Sequence, residues 1–471
     1  AATEGHAETT YYADISQMVN DRCVQCHRDG GVAPFDLQSY DAVVAHAPMI
    51  RDVVQRGVMP PWFAAPQPGQ VTSPWANDPS LSVEEVQQLF SWFDGDMPAG
   101  DPKHAPPPVE FPEGWLIGKP DAVYEFEHPV AIKATGIMDY QNIRVETDES
   151  EDRWVEAIEI QPGDRSVVHH VIVSIIPAGD RRLRGAREEG GYWGAYVPGT
   201  SVLEYPQGLA KKLPKGATLN FQMHYTPNGR ATQDSTKIGL RFAEQPPEHE
   251  VKVHGLASSE LEIQPGVARH QEAAHLTLDF DVEIVSFLPH AHLRGVACRY
   301  ELETADGTTR VLLDVPHYDF NWQLRYVPRE PIIAKKGDTL RYTAWYDNSP
   351  DNPANPDPTQ TVKWGPQTTD EMHLGYVEYY RVSSGEENIS RSRDLGTRLR
   401  DAARRQGAAG RGQGQPFFAQ VDSDGDGQWT LDEVRAHLPG GERLQSLFEQ
   451  LDSNSDGFLS RQELQRFRQL R

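Results

Sequence analysis

Ser166-Val167-Val168-His169-His170-Val171-Ile172-Val173-Ser174 is an apolar, β-branched strand interrupted by two adjacent imidazoles. Packing gives a core strand no use for them, because each buried ring nitrogen needs a hydrogen-bond partner or a metal. Three later segments echo the pattern. Gln222-Met223-His224-Tyr225 ends a Leu-Asn-Phe run, and Leu288-Pro289-His290-Ala291-His292-Leu293 follows Ile284-Val285-Ser286-Phe287. Asp370-Glu371-Met372-His373-Leu374 leads into a strand over Tyr376–Tyr380. In a strand, His290 and His292 would share one face. His169 and His170 would face opposite sides unless a strand end or a bulge turns them together. A thioether beside imidazoles selects a soft, reducible ion, so copper is favoured over zinc or calcium, with Met372 as the sulfur ligand.

Outward from these strands, residues 119–383 read as all-β, with short Val/Ile/Tyr/Phe-rich runs punctuated by Gly, Pro, Asn and Asp. The clearest strands are Trp154–Ile160, Val167–Ile176, Thr218–Tyr225, Lys237–Phe242, His275–Val285, Val296–Leu302, Asp338–Tyr346 and Gly375–Val382. The pattern breaks around Ala243–Glu248. Two β-sandwich lobes follow, 119–245 with His169, His170 and His224, and 246–383 with His290, His292 and Met372.

Upstream, Cys23-Val24-Gln25-Cys26-His27 is the C-x-x-C-H pattern of covalent c-type haem attachment. Ile15, Met18, Val19, Cys23 and Cys26 fall on one face of a helix expected over 11–27. His27 supplies one axial ligand. Met49, Met59, Met97 and His46 are candidates for the other. Met59 is favoured, because Gly57-Val58-Met59-Pro60-Pro61-Trp62 is a non-helical loop able to lay a thioether over the second haem face. A helix over Leu81–Phe93, preceded by Ser80, would close an all-α cytochrome c domain at residues 1–100. The Pro-rich stretch 101–118 reads as a stiff linker.

Downstream, 384–414 is a polar linker rich in Arg, Gly and Ala, and 415–471 holds an internal repeat of 30 residues, from Asp422 to Asp452. Each copy is an EF-hand loop. The first offers Asp422, Asp424, Asp426, the Gln428 carbonyl and Glu433 to calcium. The second offers Asp452, Asn454, Asp456, the Phe458 carbonyl and Glu463.

The chain is large enough, at 471 residues, for three or more domains. A formal net charge of -24 argues against nucleic acid or an anionic membrane as partner. No apolar run reaches the roughly 18 residues of a membrane span. Only three cysteines are present, and the haem motif takes two, leaving Cys298 as a small buried hydrophobe and no disulfide framework. Haem of this type is attached outside the bacterial cytoplasm, so a periplasmic or secreted protein is expected, its signal peptide already removed.

In this order, His169-His170, Gln222-x-His224-Tyr225, His290-x-His292-Leu293-x-Gly295 and Asp370-Glu371-Met372 resemble the copper type II, ascorbate-dependent monooxygenases, over roughly residues 120–383. The resemblance implies two jelly-roll lobes carrying an unbridged pair of coppers that face each other across an open cleft. His169, His170 and His224 would hold the electron-storing ion. His290, His292 and Met372 would hold the ion that activates dioxygen. Gln222 and Tyr376 match positions near the active site. Leu288 and Leu374 stand where the peptide-amidating member has a substrate-binding arginine and asparagine, so a neutral or apolar substrate is implied. The expected reaction hydroxylates an aliphatic C–H bond with dioxygen, its electrons passing from an external redox protein or an ascorbate-like reductant through the fused haem. Two alternatives stay open: a non-enzymatic haem and copper electron-transfer or copper-binding protein, and a calcium-regulated binding module with relic copper lobes.

Overall fold

The computed structural model describes residues 9–66, 72–112, 114–179, 192–197, 200–382, 428–431 and 458–460. It forms two compact units, Ala1–Ser384 and Gly385–Arg471. Its architecture is mostly β-sheet, with a small helical N-terminal region.

In that region a widened turn at Tyr11–Ile15 runs into helix Ser16–Arg22. The helix stops there, short of the expected His27. The Cys23 carbonyl accepts from the amides of both Cys26 and His27, folding the C-x-x-C-H motif into a turn. A second helix, Tyr40–Gln55, falls where none was expected, with Pro48 inside it. The third is Val83–Asp94, two residues later than the sequence suggests, because its N-cap is Ser82 and not Ser80. Ser82 and Glu85 form a reciprocal capping box, and Glu85 also pairs with Arg22 at 3.2 Å, tying this helix to the first. Tyr11, Ile15, Leu89 and Trp92 bury the shared apolar face.

The β-region begins with one sheet ordered Ala122–Glu125, Lys237–Phe242, Arg153–Gln161, Leu209–Leu213 and His249–Glu250. A second sheet is ordered Gln141–Glu146, Thr218–Tyr225, Val168–Ile176 and Gly194–Tyr196. Ile158, Val171, Val173, Leu219 and Phe221 fill the core they share. His249–Glu250 still pairs with Leu209–Ala210, so the chain leaves the first lobe after Glu250.

The second lobe pairs a sheet of Lys252–Ala257, Leu374–Arg381, Val282–His290 and Ile332–Ala334 with one of His270–Thr277, Thr339–Tyr346, Gly295–Glu303 and Thr309–Val315. The single strand expected over His275–Val285 is in fact the ends of two, His270–Thr277 and Val282–His290, which lie in opposite sheets. Asp279 and Asp281 lie in the break, where an apolar-rich window hid a turn.

The sheet holding Val282–His290 and Leu374–Arg381 is covered on both faces. Phe287, Ile284 and Val377 enter the second core, whereas Leu288, Leu374 and Tyr376 enter the first. Such a sheet is buried like a layer within one protein, so its apolar residues run almost without alternation. A buried ionic cluster crosses the same seam. Glu378 meets Lys211 at 2.9 Å and Arg325 at 2.7 Å, and accepts from the hydroxyls of Tyr205 and Ser286 at 2.7 and 2.6 Å.

The helical region docks on the second lobe through its own chain. Trp75 is buried in the second core against Phe287 and Tyr326, and Trp62 packs on Tyr326 at 4.8 Å. Ala65 and Ala76 donate to the carbonyls of Asp314 and Val327, and the Asn77 amide group donates to the Arg325 carbonyl at 2.7 Å.

In the second unit, Gln428–Thr430 pairs antiparallel with Phe458–Ser460, joining Trp429 to Leu459. These are the matching positions of the two loops of the internal repeat. Asp422, Asp424, Asp426, Glu433, Asp452, Asn454, Asp456 and Glu463 lie outside the described residues.

Candidate metal centre

His170 and His224 are direct cross-strand neighbours in the pairing of Val168–Ile176 with Thr218–Tyr225. The register slips between Val168 and His170, making His169 the extra residue of a bulge. The bulge turns His169 to the side of His170, which a regular strand would forbid. The ligand atoms of His169, His170 and His224 consequently lie within 4.8 Å of one another.

The second set sits just beyond the ladder. Val282–His290 and Leu374–Arg381 pair up to His290 opposite Leu374, and the strand then ends. His292 therefore does not share a strand face with His290, as the spacing suggests, but follows in the turn. Continuing the same register sets His292 opposite Met372. Both of their amides donate to Oε1 of the buried Glu371 carboxylate, and the Arg294 amide donates to its other oxygen at 2.9 Å. Met372 is buried with only 2% of its surface exposed. Its neighbour His373 belongs elsewhere, with Nδ1 3.0 Å from the Tyr346 hydroxyl and its ring on Tyr342.

The two sets do not face each other across an open cleft. The rings of His170 and His290 are 6.0 Å apart between centroids, and those of His290 and His292 are 5.3 Å apart. Phe320 stacks on His169 at 4.7 Å and also touches His170, His224 and His292. Tyr140 lies 4.7 Å from His224 and 6.3 Å from His292. The seam described above is the physical reason: lobes that share Leu288, Leu374 and Tyr376 with one core, and an ionic cluster with each other, have no gap to open.

Outer hydrogen bonds set which nitrogen each ring presents. Nδ1 of His290 lies 2.7 Å from Oε1 of Gln323, Nδ1 of His292 lies 3.2 Å from the Asp370 carbonyl, and Nε2 of His224 lies 3.1 Å from the Thr368 hydroxyl. Nδ1 of His290 and of His292 must therefore carry the proton. Nε2 of His169, His170 and His292 and Nδ1 of His224 are buried with no hydrogen-bond partner among the described residues. Burial pushes His224 down to about 3 and His290 to about 4, and holds His170 and His292 well below the usual histidine range. The rings are thus neutral at pH 7, the form that binds a metal. Four unpartnered buried nitrogens in one cluster cost far too much to be packing, so the donor set fits metal ions.

Of the other predicted residues, Gln222 is buried on the strand of His224, two positions before it. Tyr376 is a core residue whose ring meets Tyr192 edge-on at 5.2 Å. Sequence reasoning missed Tyr140, Phe320, Gln323 and Thr368. The only signal for Gln323 was a glutamine in an aromatic run, Phe320-Asn321-Trp322-Gln323, and nothing marked the others.

A separate cavity of about 380 Å³ is lined by Cys23, Cys26, His27, Met49, Met59 and Trp322. His27 Nδ1 is 3.1 Å from the Phe35 carbonyl, which leaves Nε2 free to bind iron. Met97 and His46 do not line this cavity, and His46 instead stacks on Phe35 at 4.1 Å. Both thiols, an imidazole and two thioethers around an apolar space fit a covalently attached haem. An adjoining cavity of about 630 Å³ reaches Phe320 and shares Trp322 as a wall.

Residues 265–394 match the family model of the copper type II ascorbate-dependent monooxygenase C-terminal domain. The matched stretch contains His290, His292 and Met372 and ends the first lobe's histidines outside it. The copper monooxygenase domain points to copper-dependent oxidoreductase chemistry with dioxygen and a small-molecule substrate. Residues 444–467 match an EF hand, which supports calcium binding. No curated protein matches the chain. Among solved structures, the major capsid protein P2 of bacteriophage PM2 aligns at 10% identity and a TM-score of 0.27, covering 56% of this chain and 98% of that one. The coconut allergen cocosin aligns at 7% and 0.11, covering 60% and 91%. Likenesses this weak carry no argument. No described helix is long and apolar enough to cross a membrane.

Proposed function

We propose that the chain is a copper-dependent monooxygenase that hydroxylates an aliphatic C–H bond of a small, neutral or apolar substrate. One observation carries the reading: four buried imidazoles and the half-buried His169 cluster at the joint of two β-lobes, with Met372 buried one turn of backbone away and four ring nitrogens without a hydrogen-bond partner among the described residues. His169, His170 and His224 would hold one copper, and His290, His292 and Met372 the other. Bound there, the coppers would supply dioxygen activation and one-electron storage. Substrate, dioxygen, two electrons and two protons would give the alcohol and water.

The protein's own groups have distinct tasks. Gln323, the Asp370 carbonyl and Thr368 hold three rings in the tautomer that presents a lone pair to the metal. Glu371 clamps His292 and Met372 to each other through their amides. Phe320 and Tyr140 keep water off the ring faces. The cavity behind Phe320, walled by Trp62, Phe63, Tyr318 and Trp322 with Arg56 and Asp319 also on its lining, would admit a small substrate. Residues 1–100 would carry the haem on Cys23, Cys26 and His27, with Met59 as the other axial ligand, and would pass electrons from an external donor. Covalent haem of this kind supports a periplasmic or secreted location. The calcium loops of 415–471 would bind two ions.

Copper-loaded, reduced protein incubated in isotopically labelled dioxygen with a metabolite extract tests the reading. The expected result is a product heavier by one labelled oxygen atom. Reductant consumption with no labelled product would instead favour a protein that only exchanges electrons between haem and copper.

A further inference from the structure

Four consecutive residues of the loop Phe320–Gln323 touch every redox site of the reading above. Phe320 lies nearly parallel on the His169 ring, 4.7 Å between centroids and 17° between planes. Asn321 and Asp319 lie beside the same ring. Trp322 walls the cavity that holds Cys23, Cys26, His27 and Met59. Gln323 is hydrogen-bonded at 2.7 Å to Nδ1 of His290. One loop therefore joins the haem cavity to a ring from each metal set through a handful of covalent bonds, one stack and one hydrogen bond.

The loop is also clamped. Just past Gln323, Arg325 is bound to Glu378 at 2.7 Å, and its carbonyl accepts from Asn77 of the N-terminal region. Val327 donates back to the Asn77 side chain at 3.0 Å. The N-terminal region thus grips the chain just past the loop.

We propose that Phe320–Gln323 is the intramolecular electron conduit from haem to copper, with Trp322 as its haem-side terminus. The inference rests on the haem and copper reading given under Proposed function. Each passage is a single electron: ferrous haem iron becomes ferric and a cupric ion becomes cuprous, with no bond made and no proton moved. Tunnelling weakens steeply across empty space and less through bonded or stacked groups, so a short side chain at position 322 leaves a gap at the point where the route leaves the haem.

The test uses the full chain, matured with haem and loaded with cupric ion, without substrate or dioxygen. Haem is reduced by a flash in the presence of a photosensitiser and a sacrificial electron donor, and its reoxidation is followed by absorbance in wild type, Trp322→Phe and Trp322→Leu. Trp322→Leu is expected to slow reoxidation roughly tenfold, equivalent to about 1.4 kcal/mol of barrier, with Trp322→Phe in between. Haem spectrum and copper content should be unchanged in both. Equal rates across the series overturn the conduit while leaving the haem and copper reading intact. If Trp322→Leu alters the haem spectrum, the wild-type and Trp322→Phe pair decides on the same terms. A chain that matures without covalent haem, or that takes up no copper, overturns the underlying reading and the conduit with it.

Discussion

The two histidine sets reach the same place by different means. His169, His170 and His224 are fixed by the ladder itself, since two of them are cross-strand partners and the third is brought round by a bulge. His290, His292 and Met372 lie where a ladder runs out, and they depend on Gln323, Asp370 and above all Glu371 to hold them. A site made by strand pairing is as rigid as its sheet. A site made beyond the pairing is as rigid as its outer hydrogen bonds, and for the same reason it can be adjusted without unfolding the lobe.

That contrast can be broken in four ways. Replacing a ring in the paired set, His224→Ala, should weaken its copper by more than about a hundredfold, beyond what loss of an outer partner costs, while the other set keeps its ion; metal analysis after dialysis checks this. Glu378→Gln strands Lys211 and Arg325 in the seam and should cost about 3–5 kcal/mol of stability, read by denaturant unfolding. Burial alone would raise the Glu378 carboxyl, but Lys211 and Arg325 outweigh it and hold it well below the usual carboxylate range. Its contribution is therefore fully present above the ordinary value of 4.5 and is lost only as the pH falls through its much lower folded value. Wild type and Glu378→Gln should converge in stability only in strong acid.

Smaller effects fall on the set outside the ladder. Glu371→Gln should lower copper affinity there by about 10–100-fold, with the paired set unaffected, as a competition titration would show. Gln323→Leu removes one orienting bond and should cost about tenfold at the same place. Equal losses in both sets would mean that the distinction between paired and outer-bonded sites is false.

Much of this was legible in the sequence. Thr218–Tyr225 and Lys237–Phe242 form strands with the expected limits, because both are short apolar runs between strong turn signals. The need for a bulge near His169 followed from putting adjacent side chains on one ion. Other features had no local mark. Pro48 hid the helix Tyr40–Gln55, although in the structure that helix accommodates it. The break at 278–281 was masked by apolar residues on either side. The closeness of the two sets was invisible because it comes from the seam, where Leu288 and Tyr376 serve a core built mainly from another lobe. Gln323 and Phe320 gained their places only through tertiary contact.

The chain that leaves Met59 runs through Trp62 into the second lobe and anchors there at Trp75. The residue proposed as an iron ligand and the core of the second lobe are in this way spliced into one mechanical unit. On heating, the spectral signature of the methionine-ligated iron and the circular dichroism of the neighbouring sheets should disappear in one transition. The electron carrier would then have no existence as a free module, however easily its boundaries can be drawn on paper.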